Sequence, residues 1–211
     1  LYHCPTPTSA QPTARWLKQG LALLDAVGSD TFVSHVLWWF DRSNEGRVRP
    51  TLGMSWEGDE RHRMHEVNPA VLRGLLWLCP TVAGPELIRA ITKVCFSAFR
   101  KIRGLGTRAI KVGNAGIYAF GEMDHSLALG QLALLRTRVK LASAQKAIER
   151  AFALTAERSA LSREELEEMS VPSYGMTDVG VCDEKSGELE ASAADIARSA
   201  ATAASARDSC T

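Results

Sequence analysis

The sequence is poor in the features that staple a protein, carry it across a membrane or charge it strongly. Five cysteines (Cys4, Cys79, Cys95, Cys182, Cys210) are scattered over 211 residues. They are odd in number and never in Cys-x-x-Cys spacing, which argues against a disulfide framework and a zinc ribbon and fits a reducing cytoplasm. No apolar run reaches the ~18 residues that a membrane span needs. The longest, such as Val36-Leu37-Trp38-Trp39-Phe40, have the length of helix-core segments, so no membrane partner is expected. A net charge of +1 exerts no global pull toward nucleic acid or a lipid surface. No basic–apolar–small signal pattern follows Leu1. With Leu1 in first place, the chain reads as a piece of a longer open reading frame.

What is there is helical periodicity. Hydrophobic residues make up 45% of the chain, ordinary for a globular protein and enough for a sizeable core. Residues 1–12, with three prolines, read as an irregular lead-in. Trp16, Leu17, Leu21, Leu24 and Val27 then recur at helical spacing, and Gly28 sits where a helix ends. Ser29 is placed to cap a second helix, with Phe32, Val33, Val36, Leu37, Trp39 and Phe40 as its apolar stripe. Residues 41–67 are rich in charge, Gly and His and predict a long loop, with a short helix near Trp56.

From Asn68 the helix signals are dense. Asn68-Pro69 predicts an N-cap and a first-turn proline for a helix reaching about Val82, and Gly84-Pro85-Glu86 repeats that logic. Gly104-Leu105-Gly106 predicts a break, Thr107 a cap, and Gly113, Ala115, Gly116 and Ala119 a helix face that a neighbour can approach closely. Asp124 predicts the cap of the next helix, and a further helix is expected over about 142–159. Ser162 and Glu165 form a capping box, with Leu161 and Leu166 as a hydrophobic staple, for a short helix over about 162–169. Beyond Val171 the pattern weakens to a turn and a poor strand, followed over 190–207 by an Ala/Ser-rich weak helix or disorder.

Helix pairs of roughly 35–45 residues without intervening strands predict an all-α fold, a HEAT-like α-solenoid of stacked antiparallel helix pairs. The expected division is a lead-in (1–12), a helical-repeat domain (13–170, with the loop 41–67) and a tail (171–211). The segment 109–153 is the best single repeat.

The run Lys111-Val112-Gly113-Asn114-Ala115-Gly116-Ile117-Tyr118-Ala119-Phe120-Gly121-Glu122 resembles a stretch of the bacterial MolR-like family (domain of unknown function 4132). Leu72-Arg73-Gly74-Leu75-Leu76-Trp77 is similar to that family too, as is Leu161 to Glu168 with Val171-Pro172. The likeness covers about residues 13–180. It implies large, multi-part cytoplasmic bacterial proteins with HEAT-like helices ahead of further domains, and it supplies no catalytic residues.

Motifs that carry chemistry weigh lightly beside this architecture. In Arg61-His62-Arg63-Met64-His65-Glu66 the His-x-x-His pair lacks the His-Glu-x-x-His frame of a zinc site, and two arginines repel a cation, so no metal is expected. Gly104-x-Gly106 has neither a preceding strand nor a following Gly-Lys-Ser/Thr, so a helix break outweighs a phosphate loop. Gly113-x-x-Gly116 lies inside a helical pattern, which favours close packing over a nucleic-acid clamp. Cys79 and Cys95 fall on apolar stripes, where inert thiols are common. His35 and His125 read as surface groups. No Ser/His/Asp set has motif support, and no cofactor is expected.

Charge distribution is the remaining hint. Residues 85–150 hold twelve Lys and Arg against four acids, a local net of +8, whereas residues 157–190 carry a net of −7. The basic residues gather at two inter-helix turns: Arg100, Lys101, Arg103, Arg108 and Lys111 on one, and Arg136, Arg138 and Lys140 on the other. Aligned along one edge of a helix stack, they would meet an acidic protein partner, adjoining domains of the same polypeptide or, as a weaker alternative, nucleic-acid phosphate. A third alternative makes the chain the structural part of an enzyme whose active site lies outside this stretch. The bland reading of the cations is that those near helix C-termini simply favour the helix dipole.

Overall fold

A computed structural model of the chain describes residues 1–7, 9–45, 62–65, 67–124 and 126–159, with the backbone of three strands within 176–192. Thr13 opens α1 (Ala14–Val27): its Oγ1 accepts from the Trp16 amide at 3.2 Å, satisfying one of the free donors of the first turn. Gly28, at φ 88°, both ends α1 and starts α2 (Ser29–Asn44). Its N–H donates to the Leu24 carbonyl at 2.8 Å and its own carbonyl accepts from Phe32 at 3.0 Å. Ser29 is thus the first residue of α2, not its cap. α2 also reaches past residue 41 into the predicted loop. The short helix expected near Trp56 lies outside the described residues, as do residues 46–61 and 66.

α3 (Asn68–Leu78) begins one residue earlier than its cap signal implied. Val67 already has helical φ and ψ, and the Asn68 N–H donates to the His65 carbonyl at 3.0 Å, so Asn68 sits in the first turn and does not cap it. A tight 3₁₀ turn, Cys79–Val82, follows, and α4 (Pro85–Phe99) starts after Gly84 with Pro85 at its head. The break at Gly104-Leu105-Gly106 is a small antiparallel hairpin, β1 (Lys101–Ile102) with β2 (Gly106–Thr107). Gly104 and Gly106 supply the positive φ of its turn, 79° and 86°. Thr107 pairs with Lys101 and does not cap. α5 (Ile110–Glu122) starts without a side-chain cap. Its entry is held instead by backbone bonds to the preceding helix end, Arg108 N–H to Arg100 at 3.0 Å and Ala109 N–H to Ala98 at 2.9 Å.

α6 (Ser126–Arg138) and α7 (Ala142–Ser159) complete the helical part among the described residues. His125, which lies outside the described residues, stands between Asp124 and α6. The capping box at Ser162 and Glu165 also lies outside them.

The chain is predominantly helical. α1, α3, α5 and α7 touch in succession along one row, and α2, α4 and α6 along a second. Contacts between α1 and α2, α4 and α5, α5 and α6, and α6 and α7 join the rows. The core runs between them. α3 is buried on every side from Leu72 through Leu78, the pattern of a helix with neighbours all round. One of those neighbours is the irregular N-terminal segment. A Cβ on Gly74 would strike the Cys4 backbone, so the glycine is what lets the segment lie flat on α3. Arg73, buried among apolar residues, donates to the Pro7 and Ser9 carbonyls and lies 5.0 Å over the Trp77 ring. Trp16 Nε1 donates to the His3 carbonyl at 3.1 Å, and the His3 ring stacks on Trp16 at 4.6 Å.

The chain divides into two compact units, Leu1–Ser170 and Val171–Thr211. The second holds an antiparallel meander, β3 (Met176–Asp178), β4 (Val181–Ser186) and β5 (Leu189–Ser192). Asp183 pairs with Ser192 and Ser186 with Leu189, and a register shift interrupts β3 against β4. Residues 190–192 are therefore strand where the Ala/Ser-rich composition predicts weak helix or disorder. Pairing with β4 overrides a weak local preference. Residues 193–211 lie outside the described residues.

Candidate basic groove at the α4 and α6 ends

The two basic turns meet in part. Arg100, the residue that ends α4, lines a shallow groove of about 540 Å³ together with Arg138, Val139 and Lys140 from the α6–α7 turn and Phe96, Ser97 and Phe99 from α4. Arg138 is held in place by its guanidinium lying 5.6 Å from the Phe96 ring centroid, a cation–π contact on the order of 0.5–1 kcal/mol at an exposed site. Lys140 Nζ donates to the Thr137 carbonyl at 3.0 Å, which is the dipole-side role expected near a helix C-terminus. Among the described residues, none of Arg100, Arg138 and Lys140 is ion-paired with a carboxylate. Three cations around an aromatic floor raise the local potential and favour an anionic ligand.

The remaining candidates lie elsewhere. Lys101 and Arg103 are exposed on the β1–β2 hairpin, outside the groove. Lys111 is exposed in the first turn of α5, where a helix dipole disfavours a cation, so the dipole does not account for it. Arg136 lies 4.8 Å over the Phe152 ring and clips α6 to α7. Gln145 completes that clip, its Nε2 donating to the Arg136 carbonyl at 2.8 Å.

Arg108 is half-buried. Its Nε donates to the His62 carbonyl at 2.6 Å and its Nη1 to Ser97 Oγ. Burial, and then the neighbouring Arg100 charge, pull its pKa down to about 10. It remains cationic at neutral pH, but as a tie between the segment 62–65 and α4. The aromatic floor of Phe96 and Phe99 was not legible in the sequence, where Phe99 reads as a core position of its helix and nothing in the spacing brings Phe96 beside it at a groove.

No protein-family model, curated protein or solved structure matches this chain. Function rests on the chain's own geometry.

Among the described residues, no three His, Cys, Asp or Glu side chains gather as a metal-ligand set, and no helix is long and apolar enough to cross a membrane. The described thiols are buried. Desolvation pushes Cys95 up to about 12 and Cys79 well above the usual thiol range, and a thiolate is the form that attacks. His35 is exposed, its Nδ1 bonded to the Thr31 carbonyl of its own helix at 2.7 Å.

Proposed function

We propose that this chain is a HEAT-like helical-repeat interaction module of a larger bacterial protein, and that its groove at the α4 and α6 ends takes an acidic segment of a protein partner or adjoining domain. The observation that carries this reading is the convergence of Arg100, Arg138 and Lys140 over Phe96 and Phe99, with no carboxylate partner among the described residues. Two rows of helices that touch their neighbours in succession are what stacked helix pairs produce, and such stacks expose long edges to partners. The MolR-like resemblance is compatible with this role. Its longest run is most of α5, whose Gly113 and Gly116 are packing residues, so the motif speaks of architecture and not of chemistry. Free Cys4, Cys79 and Cys95 accord with a reducing cytoplasm.

The test is fluorescence anisotropy with a labelled Glu-rich peptide, comparing the intact chain with the triple variant Arg100→Glu, Arg138→Glu, Lys140→Glu. The reading expects at least tenfold weaker binding in the variant and an unchanged unfolding midpoint. Equal binding by both proteins, or none by either, sinks it. Binding of duplex DNA whose log affinity falls with log salt at a slope near three, about one ion for each of the three cations, would move the reading to a phosphate-binding edge. Arg108 is left out of the variant because removing it would unseat the segment it ties down.

A further inference from the structure

The groove at the α4 and α6 ends carries more positive charge and more hydrogen-bond donors than one carboxylate uses up. Arg100 caps the C-terminus of α4, and Arg138 is the last residue of α6. A helix C-terminus carries about half a negative charge. Set against two such ends, Arg100, Arg138 and Lys140 leave a surplus of roughly two positive charges at the groove. Arg108 stands next to Arg100; burial, and then the repulsion between the two, lower the Arg108 pKa to about 10. Donors converge as well. The half-buried Ser97 hydroxyl lines the groove and accepts from Arg108 Nη1, and its own proton has no acceptor among the described residues. No carboxylate, side-chain amide or histidine lines the groove.

Resting on the reading that this groove takes an acidic segment, we propose that the segment carries a phosphorylated serine, whose phosphate is received by Arg100, Arg138 and the Ser97 hydroxyl. Charge makes the first selection. A phosphomonoester carries about −1.5 to −2 at neutral pH, which matches the surplus. A carboxylate and a nucleic-acid phosphodiester each carry a single charge and leave half of it unmet. Geometry makes the second. A phosphomonoester offers three acceptor oxygens, and guanidinium forks pair with phosphate oxygens two at a time. Two carboxylates would match the charge, but each arrives on its own residue. Here the donors crowd together: Ser97 and Arg100 are three positions apart, about one helical turn, and the Arg138 guanidinium is held 5.6 Å from the ring centroid of Phe96, the residue before Ser97. That is a span for one compact, multiply charged anion.

Fluorescence anisotropy with one labelled acidic peptide in two forms, carrying phosphoserine or glutamate at its centre, tests this. The phosphoserine form should bind the intact chain about tenfold more tightly or better, the worth of one further hydrogen bond to a charged group. Arg100→Lys combined with Arg138→Lys keeps both charges and removes both forks. It should cut that advantage to below about threefold and leave the glutamate form bound as before. Ser97→Ala should weaken the phosphoserine form alone, by about threefold or more. Equal binding of the two forms overturns the proposal and leaves the acidic-segment reading standing, whereas binding of neither removes both. A phosphoserine advantage that survives intact in the lysine variant and in Ser97→Ala overturns it too. Inorganic phosphate that displaces the peptide as effectively as unlabelled phosphoserine peptide would make the ligand free phosphate, and duplex DNA that does so would make it a phosphodiester; either result overturns the proposal.

Discussion

The α4–α5 contact and the α1–α2 hairpin are both pairings of consecutive helices, yet one is closed and the other open. At the first, α5 presents glycines to α4. A Cβ on Gly113 would overlap the Phe99 ring, and one on Gly116 would overlap Cys95 Sγ, with Ile91 behind it. The helices approach until bulky residues of one fill the gaps left by the other, as close-packed interiors require. At the second, α1 and α2 bring Leu23, Leu24, Val27, Phe32 and Trp39 to the same side, and the helices stand apart around a cavity. Their glycine is at the turn: Gly28 has nothing within 4 Å of where its Cβ would be. Small residues on a helix face make an interface, whereas a small residue at the corner makes only a turn.

The largest effect expected from breaking this contrast is at the closed interface. Gly116→Val should destabilise the protein by about 3 kcal/mol or more in urea denaturation. Overpacking of a filled core costs typically 1–3 kcal/mol, and here the new methyls meet Cys95 directly. A loss below about 1 kcal/mol would mean that α4 and α5 can separate as α1 and α2 do.

Next comes alkaline pH. Burial raises the Cys95 thiol to about 12, above the roughly 8.5 of an unfolded chain. The folded state therefore holds a proton that the unfolded state has lost. The stability contributed is complete below about pH 8.5 and falls by about 1.4 kcal/mol per pH unit as pH rises toward the folded value. Cys79 adds in the same direction. Denaturant midpoints measured from pH 8 to 10 should fall, and Cys95→Ala should flatten the slope. A slope unchanged in Cys95→Ala would show that the thiol is not sealed by α5.

The smallest effect is at the turn. Gly28→Ala meets no atoms, so it should cost only the backbone strain of a side chain at φ 88° and ψ 138°, about 1–3 kcal/mol. Its midpoint shift should be below that of Gly116→Val. The reverse order would make the hairpin the better packed of the two.

Much of this architecture was legible in the residues. Helical periodicity placed α1, α2, α4, α5 and α7 within a few positions, and Gly28, Gly84-Pro85 and Gly104-Leu105-Gly106 act as the punctuation they resemble. The small face of α5 meets a neighbour as expected. Signals that failed were those another local structure pre-empted: Thr107 is taken by the hairpin through its pairing with Lys101, and the Asn68 N–H by a turn bond to the His65 carbonyl that starts the helix one residue early. For the basic groove, cations at both inter-helix turns could be read from the sequence, but which of them meet, and the aromatic floor beneath them, could not. In Trp38-Trp39-Phe40, three consecutive aromatic residues on a helix cannot all face one core: Trp38 is 59% exposed and Phe40 is buried.

The sequence by itself determined which segments are helical and which faces must be buried, because spacing and composition act within a few residues of one another. Only the tertiary structure decided which cations share a groove, which one is spent as a tie and where two helices fail to close. Those outcomes depend on side chains far apart in the chain competing for the same space. Arg108 and Arg138 look alike in sequence. One is committed to His62 and Ser97, while the other lies over Phe96 beside an open groove.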